Sequence, residues 1–531
     1  MGSKTTGMKN RSVAPSGEDK LSGENNKRGF AVLFSLVYAV CTFTGGIVHV
    51  PWGDEAQAWL LARDLTPLAL LKQMHYEGSP ALWHFILMPF AKTGFPYFTE
   101  FVLSWLIATS MVFLFLNYSP FSRLTKLLFI FSYFIFYEYV IIARNYGLSV
   151  LLLFLIATVY DRRFKRPFLF AFLVFLLFNT NAHSFGAAAA LAAIFIFDGL
   201  TMMKNKIAVK TLFFASIIMA LGGLAVYFQV RGPVIIPAAI TKVKYGPLGA
   251  VYRAYKYAFL YNYWRLDHYN TIEAIFIGSL LLTTVLAISR RLQPLFFLLA
   301  SYASISIIFA FVHHGEPRHY GFFLIFTVFA LWISTKYGDA AVIGRTKKLL
   351  PDPRVTRGYC MALLNASLAV GIVFFSFYSL GYYKYKFSDS RDMAGYIKRH
   401  GLENRIIVAY TSFSGSALLP YLGRKSFWYP DFERYGTFIT WNNTEKKFWT
   451  RCMTATDVLN RVERKFGRNR DVYLLLSGEI KIGDSARKRL RFVYRDGDKC
   501  IKSEEQYSLY EIRRPPEERP AAATFARARN D

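Results

Sequence analysis

Two adjacent carboxylates stand out in the segment PWGDEAQAWLLARD, which covers residues 51–64. Asp54 and Glu55 follow the first apolar run of the chain, at a point where a helix begins. A carboxylate in this position could orient or deprotonate a hydroxyl group, and a second carboxylate beside it could tune its pKa. Aspartate is also a favoured N-cap, and acidic residues suit a helix N-terminus, so a purely structural role is the alternative.

Further polar side chains occur in short turns between later apolar runs. Arg144 and Asn145 form one such turn, and His183 lies in another. Polar residues at the edge of a membrane are costly, and they tend to mark a shared pocket. We therefore expect these three side chains to belong to a substrate-binding site together with Asp54.

The most polar of these turns is HHGEPRHYG, which covers residues 313–321. Its polar side chains belong to His313, His314, Glu316, Arg318 and His319. Because Arg forms paired hydrogen bonds to phosphate, this turn could bind a phosphate or pyrophosphate leaving group. A solvated turn is the alternative. The spacing of the histidines and the glutamate matches no standard zinc pattern well, so no metal ligand is assigned.

The elements that must position these residues are membrane-spanning helices. The chain has 531 residues, of which 53% are hydrophobic, and the apolar residues occur in runs of about the length that crosses a bilayer. We predict an α-helical polytopic membrane protein with about eleven spans. The predicted runs are 30–49, 98–117, 124–143, 147–160, 167–180, 184–202, 209–229, 272–289, 293–312, 321–335 and 359–380.

The loop charges predict the orientation of these spans. If the N-terminus is cytoplasmic, every cytoplasmic loop is rich in Lys and Arg, as the positive-inside rule requires. Much of the net charge of +29 lies in these loops, so it indicates topology and contact with anionic lipid rather than nucleic-acid binding. The turns that carry Arg144, His183 and Arg318 then lie on the opposite, extracytoplasmic face.

The predicted outside loop 231–270 breaks this charge trend. It contains several basic residues interleaved with tyrosines, among them Lys244 and Tyr257. We predict that these two residues contact lipid headgroups or a lipid-phosphate ligand. Ordinary anchoring at the membrane interface explains the same composition. The earlier outside segment 50–97 contains two amphipathic stretches, 54–72 and 80–94, and we expect the second to lie in the interface.

The regions outside the helical bundle have a different composition. Residues 1–28 and 513–531 are polar and are predicted to be disordered tails, the first of them cytoplasmic. The bundle covers residues 29–380. Alternating strand and helix patterns over residues 381–512 predict a small extracytoplasmic α/β domain. Its two cysteines, Cys452 and Cys500, could form a disulfide or remain separate thiols.

The segment GDEAQAWLLARD resembles the first outside loop of membrane glycosyltransferases with the GT-C fold. That group includes aminoarabinose transferases, protein O-mannosyltransferases and lipid-A galacturonosyltransferase-like proteins. Its members place a carboxylate just after the first helix, and a Pro-containing motif that leads into an aromatic helix follows. Here the second motif is YEGSPALWHFIL, residues 76–87. The resemblance implies a GT-C-like bundle with Asp54 as the catalytic carboxylate and Glu55 as its neighbour.

The resemblance also implies the substrates and the location. The donor would be a sugar on a polyprenyl phosphate. The acceptor would be a glycan, a lipid such as lipid A, or a protein outside the cytoplasm, and the location would be a bacterial inner membrane. The aminoarabinose group has a lysine in the Pro motif, whereas this chain has Glu77 there, and Arg144 is followed by Asn145 rather than by an acid. These departures argue against aminoarabinose and leave the need for a divalent metal open.

Two other classes of function are compatible with the sequence. A transporter or flippase for a lipid-linked sugar would also combine many spans with polar residues. Transporters place such residues near the bilayer midplane and often contain internal repeats, whereas here they gather at one face and no convincing repeat is present. A receptor or assembly scaffold with an outside α/β domain would need no carboxylate pair.

Overall fold

The computed structural model describes residues 17–202, 206–231, 246–261, 270–338, 352–423, 426–441, 453–467, 471–478, 480, 482–497 and 499–513. Helices form most of this part of the chain. The helices of the bundle and its outside loops are α1 (Gly17–Val48), α2 (Gly53–Asp64), α3 (Pro67–Glu77), α4 (Leu82–Lys92), α5 (Thr99–Tyr118), α6 (Arg123–Ile130), α7 (Tyr146–Val159), α8 (Pro167–Phe178), α9 (Phe185–Met202), α10 (Lys206–Val230), α11 (Gly246–Leu260), α12 (Thr271–Ile288), α13 (Leu292–Ile307), α14 (Pro317–Ser334) and α15 (Pro353–Lys384).

Seven of the described helices are long and apolar enough to cross a membrane. Their apolar stretches are Asn25–Val48, Thr99–Tyr118, Ala182–Thr201, Val209–Val230, Thr271–Ile288, Leu292–Val312 and Arg354–Phe377. The chain is therefore a helical membrane protein, as the sequence predicts. The other four predicted runs form helices that are shorter, interrupted or polar at one end.

The predicted run 124–143 is the clearest case of an interrupted helix. It forms α6, a π-helical turn at Phe134–Glu138 and then irregular backbone up to Arg144. Buried aromatic side chains dominate this segment, and the phenol of Tyr133 donates a hydrogen bond to Glu138. Such π turns are common near functional sites. The irregular backbone lies inside the protein, where neighbouring segments satisfy its polar groups.

Helix α14 occupies the centre of the bundle. Every residue from His319 to Ser334 is buried, and the side chains belong to one continuous apolar core. Its first turn carries Arg318 and His319, so this central helix begins with polar residues at one end of the bundle. Helices α7, α11, α12 and α13 pack around it.

The first helix begins earlier than the sequence analysis predicts. Helix α1 starts at Gly17, so residues 17–28, which we predicted to be disordered, belong to the first helix, whose apolar stretch begins at Asn25. Residues 1–16 and the predicted tail after Arg513 lie outside the described residues.

The outside segment 50–97 forms helices α2, α3 and α4, and the predicted amphipathic stretch 80–94 corresponds to α4. Helices α2 and α4 pack against each other, and Trp59, Leu60 and Trp83 are buried in a core that they share with the C-terminal region. One face of helix α4 therefore packs on protein, while residues such as Pro89 and Lys92 on the rest of the helix are exposed. That this helix lies in the membrane interface stays a prediction.

Part of the predicted loop 231–270 forms helix α11. Tyr257 lies on this helix, is buried, and packs edge to face against Tyr320 with ring centres 5.7 Å apart. Tyr257 therefore has almost no exposed surface for lipid headgroups, and its contact with a lipid-phosphate ligand stays a prediction. Lys244 lies outside the described residues.

The C-terminal region contains the predicted α/β domain. Its helices are α16 (Ser390–Arg399), α17 (Ser412–Ser416), α18 (Leu419–Leu422), α19 (Ala455–Phe466) and α20 (Asp484–Arg489), and its strands are β1 (Ile406–Tyr410), β2 (Phe427–Tyr429), β3 (Arg434–Gly436), β4 (Val472–Ser477), β5 (Leu490–Arg495) and β6 (Tyr507–Ile512). The strand order is β3-β2-β1-β4-β6-β5. Strands β2, β1 and β4 are parallel, with Ile406 opposite Val472, and the remaining pairings are antiparallel.

The two faces of this sheet pack on different partners. One face joins the core of helices α2–α4 through side chains such as Leu475 and Leu509. The other face is covered by α19, with Val458 and Leu459 fully buried. The sheet is thus attached to the bundle through α2–α4. Cys500 is a free thiol that donates to the Lys502 carbonyl, and Cys452 lies outside the described residues.

Candidate active site around Asp54

The backbone after the first helix sets the position of Asp54. Helix α1 ends at Val48, an extended segment follows, and helix α2 begins at Gly53 with Trp52 as its N-cap. Asp54 is therefore the second residue of the helix and not the cap. Its carboxylate is free to turn away from the helix end, so the simple capping alternative does not describe it.

Asp54 forms ion pairs with two arginines from distant parts of the chain. Its Oδ2 atom lies 3.1 Å from Nη2 of Arg318 and 3.7 Å from Nη1 of Arg144, while Arg144 also donates to the Asp54 carbonyl at 2.5 Å. The side chain of Asp54 remains 21% exposed. These contacts join the end of the first span, the turn before α7 and the start of α14.

The electrostatics of this cluster favour the carboxylate form of Asp54. Burial opposes the charge, but the fields of Arg144, Arg318 and Lys502 outweigh it and hold the pKa of Asp54 below its ordinary value. Asp54 is therefore ionised at neutral pH. Three cations surround this one carboxylate, and Glu316 adds a second negative charge through an ion pair of 2.9 Å with Arg318.

Lys502 is a member of the cluster that the sequence analysis missed. It lies in the loop between β5 and β6, and its Nζ atom is 3.7 Å from the centre of the Trp52 ring. Arg318 lies over the same indole at 5.5 Å. The Trp52 ring thus holds two cations beside Asp54 through cation–π contacts. No local pattern around Lys502 predicts this position, because the loop belongs to a domain more than 440 residues along the chain.

Glu55 has a different role from Asp54. Its side chain is 1% exposed and accepts hydrogen bonds from the backbone N–H groups of Trp52 at 3.2 Å and Ala143 at 2.8 Å. The Nε2 atom of His49 lies 3.0 Å from Oε2 of Glu55, the same oxygen that accepts from the Trp52 N–H. Glu55 therefore fixes the chain on either side of the cluster. These contacts suit a residue that positions the backbone beside Asp54, and a catalytic role for Glu55 stays a prediction.

The predicted histidines form a stack beside Arg318. The rings of His183 and His319 are parallel, with centres 4.4 Å apart, and His313 stacks on His314 at 5.0 Å. The Nδ1 atom of His319 accepts from the Glu316 N–H, so its proton lies on Nε2, which faces the Tyr146 hydroxyl at 2.9 Å. Burial lowers the pKa of His313 and His314, so these rings are neutral at pH 7.

The remaining predicted residues lie around the cluster. Asn145 donates to the Thr180 carbonyl at 2.9 Å and is buried, so it joins two turns of the bundle. Glu77 accepts from Gln57 and Gln73, and burial raises its pKa to about 7. The charges of Arg144 and Asp54 also act on that pKa, which places Glu77 at the border of the site.

The described residues contain no group of three or more His, Cys, Asp or Glu side chains arranged to hold a metal ion. The cluster around Asp54 is rich in cations, and such a surface suits an anionic ligand. The arrangement can bind a phosphate group through Arg144, Arg318 and Lys502, and it places a carboxylate where that phosphate would bind.

Comparison with known proteins adds no relative. A scan against protein-family models, a search of curated proteins and a search of solved structures each find no match to this chain.

Proposed function

We propose that the protein is a GT-C-type membrane glycosyltransferase that moves a sugar from a polyprenyl-phosphate donor to an extracytoplasmic acceptor. The observation that carries this proposal is the ion cluster of Asp54 with Arg144 and Arg318. A carboxylate and two arginines from separate turns meet within 3.7 Å at the end of the first span. Lysine and arginine suit the phosphate of such a donor, and the carboxylate suits a hydroxyl acceptor.

The proposed reaction uses the competition between phosphate and carboxylate for the same arginines. When the donor phosphate binds Arg144 and Arg318, its negative charge offsets the positive charges that stabilise the Asp54 carboxylate. Asp54 therefore becomes a stronger base. The acceptor hydroxyl oxygen then attacks the anomeric carbon of the sugar and gives its proton to Asp54. The bond from that carbon to the phosphate oxygen breaks, and the phosphate leaves with the electron pair, stabilised by the arginines. Direct attack inverts the anomeric centre.

The topology completes this proposal. The proposed bundle has about eleven spans, in which α6, α7, α8 and α14 supplement the seven long helices. The N-terminus is cytoplasmic, and the α/β domain and the Asp54 cluster lie outside, in the inner membrane of a bacterium. Lipid A, a polysaccharide or a protein is the acceptor. The polyprenyl tail of the donor lies among the helices, and membrane lipids surround the bundle.

The test is the transfer activity of Asp54→Asn and Asp54→Ala in full-length protein. The substrate is a radiolabelled sugar on polyprenyl phosphate, and the acceptor is a membrane extract from cells that lack the protein. We expect transfer to fall by a factor of about 100 or more in both variants, because the proton acceptor and the orienting carboxylate are lost. Asp64→Asn is the control, since Asp64 lies on the same helix and pairs only with Arg63 among the described contacts.

Two results would contradict the proposal. Normal transfer by well-folded Asp54→Ala protein would exclude the assigned role of Asp54. The flippase class would be assigned instead if the parent protein moved the lipid-linked sugar across vesicle membranes without transferring the sugar, and if Asp54→Asn moved it equally well.

A further inference from the structure

A cavity lies beside the Glu55 side chain. Its volume is about 290 Å³, and the end of α1, the start of α5 and the C-terminal domain form its walls. The lining residues are Gly46, Ile47, His49, Pro51, Glu55, Tyr97, Phe98, Glu100, Phe101, Ala143, Arg391 and Tyr421. The mechanism proposed above uses none of their side chains for chemistry.

Buried polar groups without partners line this cavity. The side chain of Glu100 is 1% exposed, and although the Trp83 indole lies close to it, neither carboxyl oxygen makes a hydrogen bond of full geometry among the described residues. The hydroxyl of Tyr97 is likewise buried and without a partner there. Leaving such groups unsatisfied is costly, and each one in a folded protein needs an explanation. A ligand that donates hydrogen bonds to Glu100 would provide one.

The opposite side of the cavity is apolar and faces outward. Ile47 is 51% exposed and Phe98 is 42% exposed, and both lie at ends of helices whose apolar stretches span the membrane. The cavity thus opens between the first span and α5, at the level where hydrocarbon meets headgroups. A ligand entering here would come from the lipid phase, with its chain against these side chains.

The charges of the lining select the headgroup. The Glu55 carboxylate disfavours an anionic head, whereas the guanidinium of Arg391, which donates to the carbonyls of Ile47 and His49, disfavours a cationic one. A neutral head with several hydroxyl groups can donate to Glu100 and Tyr97 without repulsion. The volume lies near the lower end of the range of about 300–1,000 Å³ for ligand pockets, so it admits a head of about one ring but not a chain.

We infer that this cavity binds a membrane lipid with a neutral polyhydroxylated headgroup. Glu100 and Tyr97 bind the headgroup hydroxyls, and the lipid chain lies between α1 and α5 against Ile47 and Phe98. This site goes beyond the proposed transfer reaction, and its occupation does not require that reaction. Ala143 and Glu55, which line this cavity, are the chain neighbours of Arg144 and Asp54. The bound headgroup would therefore lie close to the ion cluster.

The test is photolabelling of the full-length protein in nanodiscs of phosphatidylcholine. The probe is an alkyl glucoside with a diazirine on its chain, and the competitors are dodecyl glucoside, dodecyl phosphate and dodecyltrimethylammonium. We expect saturable labelling of the peptides that contain Ile47 and Phe98. Dodecyl glucoside should reduce the labelling at least five-fold more effectively than either charged competitor.

Variants separate the site from general lipid contact. Ile47→Trp should fill the mouth and reduce labelling at least five-fold, and Glu100→Leu should do the same by removing the headgroup contact. Glu100→Gln retains a hydrogen-bonding side chain in case Glu100→Leu does not fold, and it should label more weakly than the parent protein. Leu106→Trp is the matched control, because Leu106 is 49% exposed on the same helix α5 but does not line the cavity.

The outcomes that overturn the inference are specific. The site would be excluded if folded Glu100→Gln and Ile47→Trp proteins were labelled as strongly as the parent protein. It would also be excluded if dodecyltrimethylammonium competed as well as dodecyl glucoside. Asp54→Asn should label normally, so a failure of the transferase proposal leaves this result unaffected. Labelling that is lost in Asp54→Asn as well would also contradict a separate site.

Discussion

At the scale of single residues, the side chain of Asp54 is available for the ion cluster because its neighbours satisfy the backbone groups at the start of helix α2. Trp52 supplies the helix cap, and Glu55 takes the backbone N–H groups of Trp52 and Ala143. The Asp54 side chain is therefore directed to the guanidinium groups of Arg144 and Arg318. Two adjacent carboxylates thus have separate tasks, one in fixing the backbone and one in the ion cluster.

Replacing Lys502 by Met should weaken donor binding while leaving the fold intact. Lys502 lies over Trp52 and acts on the pKa of Asp54, so its removal takes one of three cations from the proposed phosphate site. A charged hydrogen bond contributes roughly 1.5–3 kcal/mol, which corresponds to an increase in KM of about ten-fold or more for the polyprenyl-phosphate sugar. The measurement is transfer rate against donor concentration.

Lys499→Met is the control for this prediction, since Lys499 is exposed in the same loop. An unchanged KM in Lys502→Met, with Lys499→Met also unchanged, would show that Lys502 does not contact the donor. A fall in kcat alone would indicate that the lysine acts through Asp54 instead.

The sequence predicts part of this cluster for a physical reason. Arg144 and Arg318 directly flank apolar segments, and loops at one face of a bundle are close in space, so their convergence on Asp54 follows from the topology. Lys502 and His49 have no such signal. Lys502 reaches the site only because the sheet packs on α2–α4, and His49 is important only through its contact with Glu55.

At the scale of elements, the end of α14 away from the site is fixed by a buried polar network. Nη2 of Arg163 lies 2.9 Å from Oδ2 of Asp198, and the hydroxyl of Tyr337 donates to the same oxygen at 2.8 Å. Gln293 donates to the other carboxyl oxygen at 2.9 Å. The network joins the segment after α7 to α9, α13 and the residues that follow α14.

Asp198→Ala should destabilise the protein by roughly 3–5 kcal/mol, because it leaves the buried Arg163 without its counter-ion. Thermal unfolding in detergent, followed by fluorescence, measures the effect as a lowered midpoint. Asp161→Ala is the control. Its ion pair with Lys336 is half exposed, and surface pairs of this kind contribute no more than about 1 kcal/mol. Equal midpoints for the two variants would contradict the structural role of the network.

The elements show where apolar patterns are sufficient and where they are not. Long spans such as α5 and α10 have the predicted bounds within a few residues, because a run of this length has few alternative structures in a membrane. The run 124–143 and the stretch 80–94 were predicted less well. The first is buried against protein and the second is partly buried, and hydropathy does not distinguish burial in protein from contact with lipid.

At the scale of the whole molecule, the C-terminal domain is attached to the start of α2 by buried contacts. Glu505 is fully buried, and its Oε1 accepts a hydrogen bond from the Gly53 N–H at 2.7 Å. Ser390 donates to the Pro51 carbonyl at 3.0 Å. The domain therefore fixes the backbone on either side of Trp52, immediately before Asp54. The strands and helices that alternate along this domain are present as predicted, but the surface through which they pack on α2–α4 was not predictable from local pattern.

Glu505 should make this attachment dependent on pH. Burial raises the pKa of Glu505 from 4.5 to about 8, so the folded protein retains a proton that the unfolded chain releases. The contribution of this group to stability therefore falls as the pH rises from about 4.5 to about 8, with a slope of at most about 1.4 kcal/mol per pH unit. Glu505→Gln keeps the acceptor and removes the titration, so its unfolding midpoint should fall less over pH 5–8.

The matched control is Glu504→Gln, because Glu504 is the exposed neighbour of Glu505. Glu77, whose pKa is about 7, adds a slope of the same sign over a narrower pH range that ends near 7, so the Glu505→Gln profile is not expected to be flat. Identical profiles for Glu505→Gln and the parent protein would show that the interface does not titrate through Glu505.

Helix α14 connects the two polar ends of the bundle as one stiff rod. Its 18 residues span about 27 Å, with Arg318 in the first turn and Tyr337 just beyond the last. Buried side chains surround it along its length, so it has no room to bend or rotate alone. An axial shift of Arg318 would therefore draw Tyr337 away from Asp198. The contacts of Tyr337 at one end of the helix thus limit how far Arg318 can move at the other.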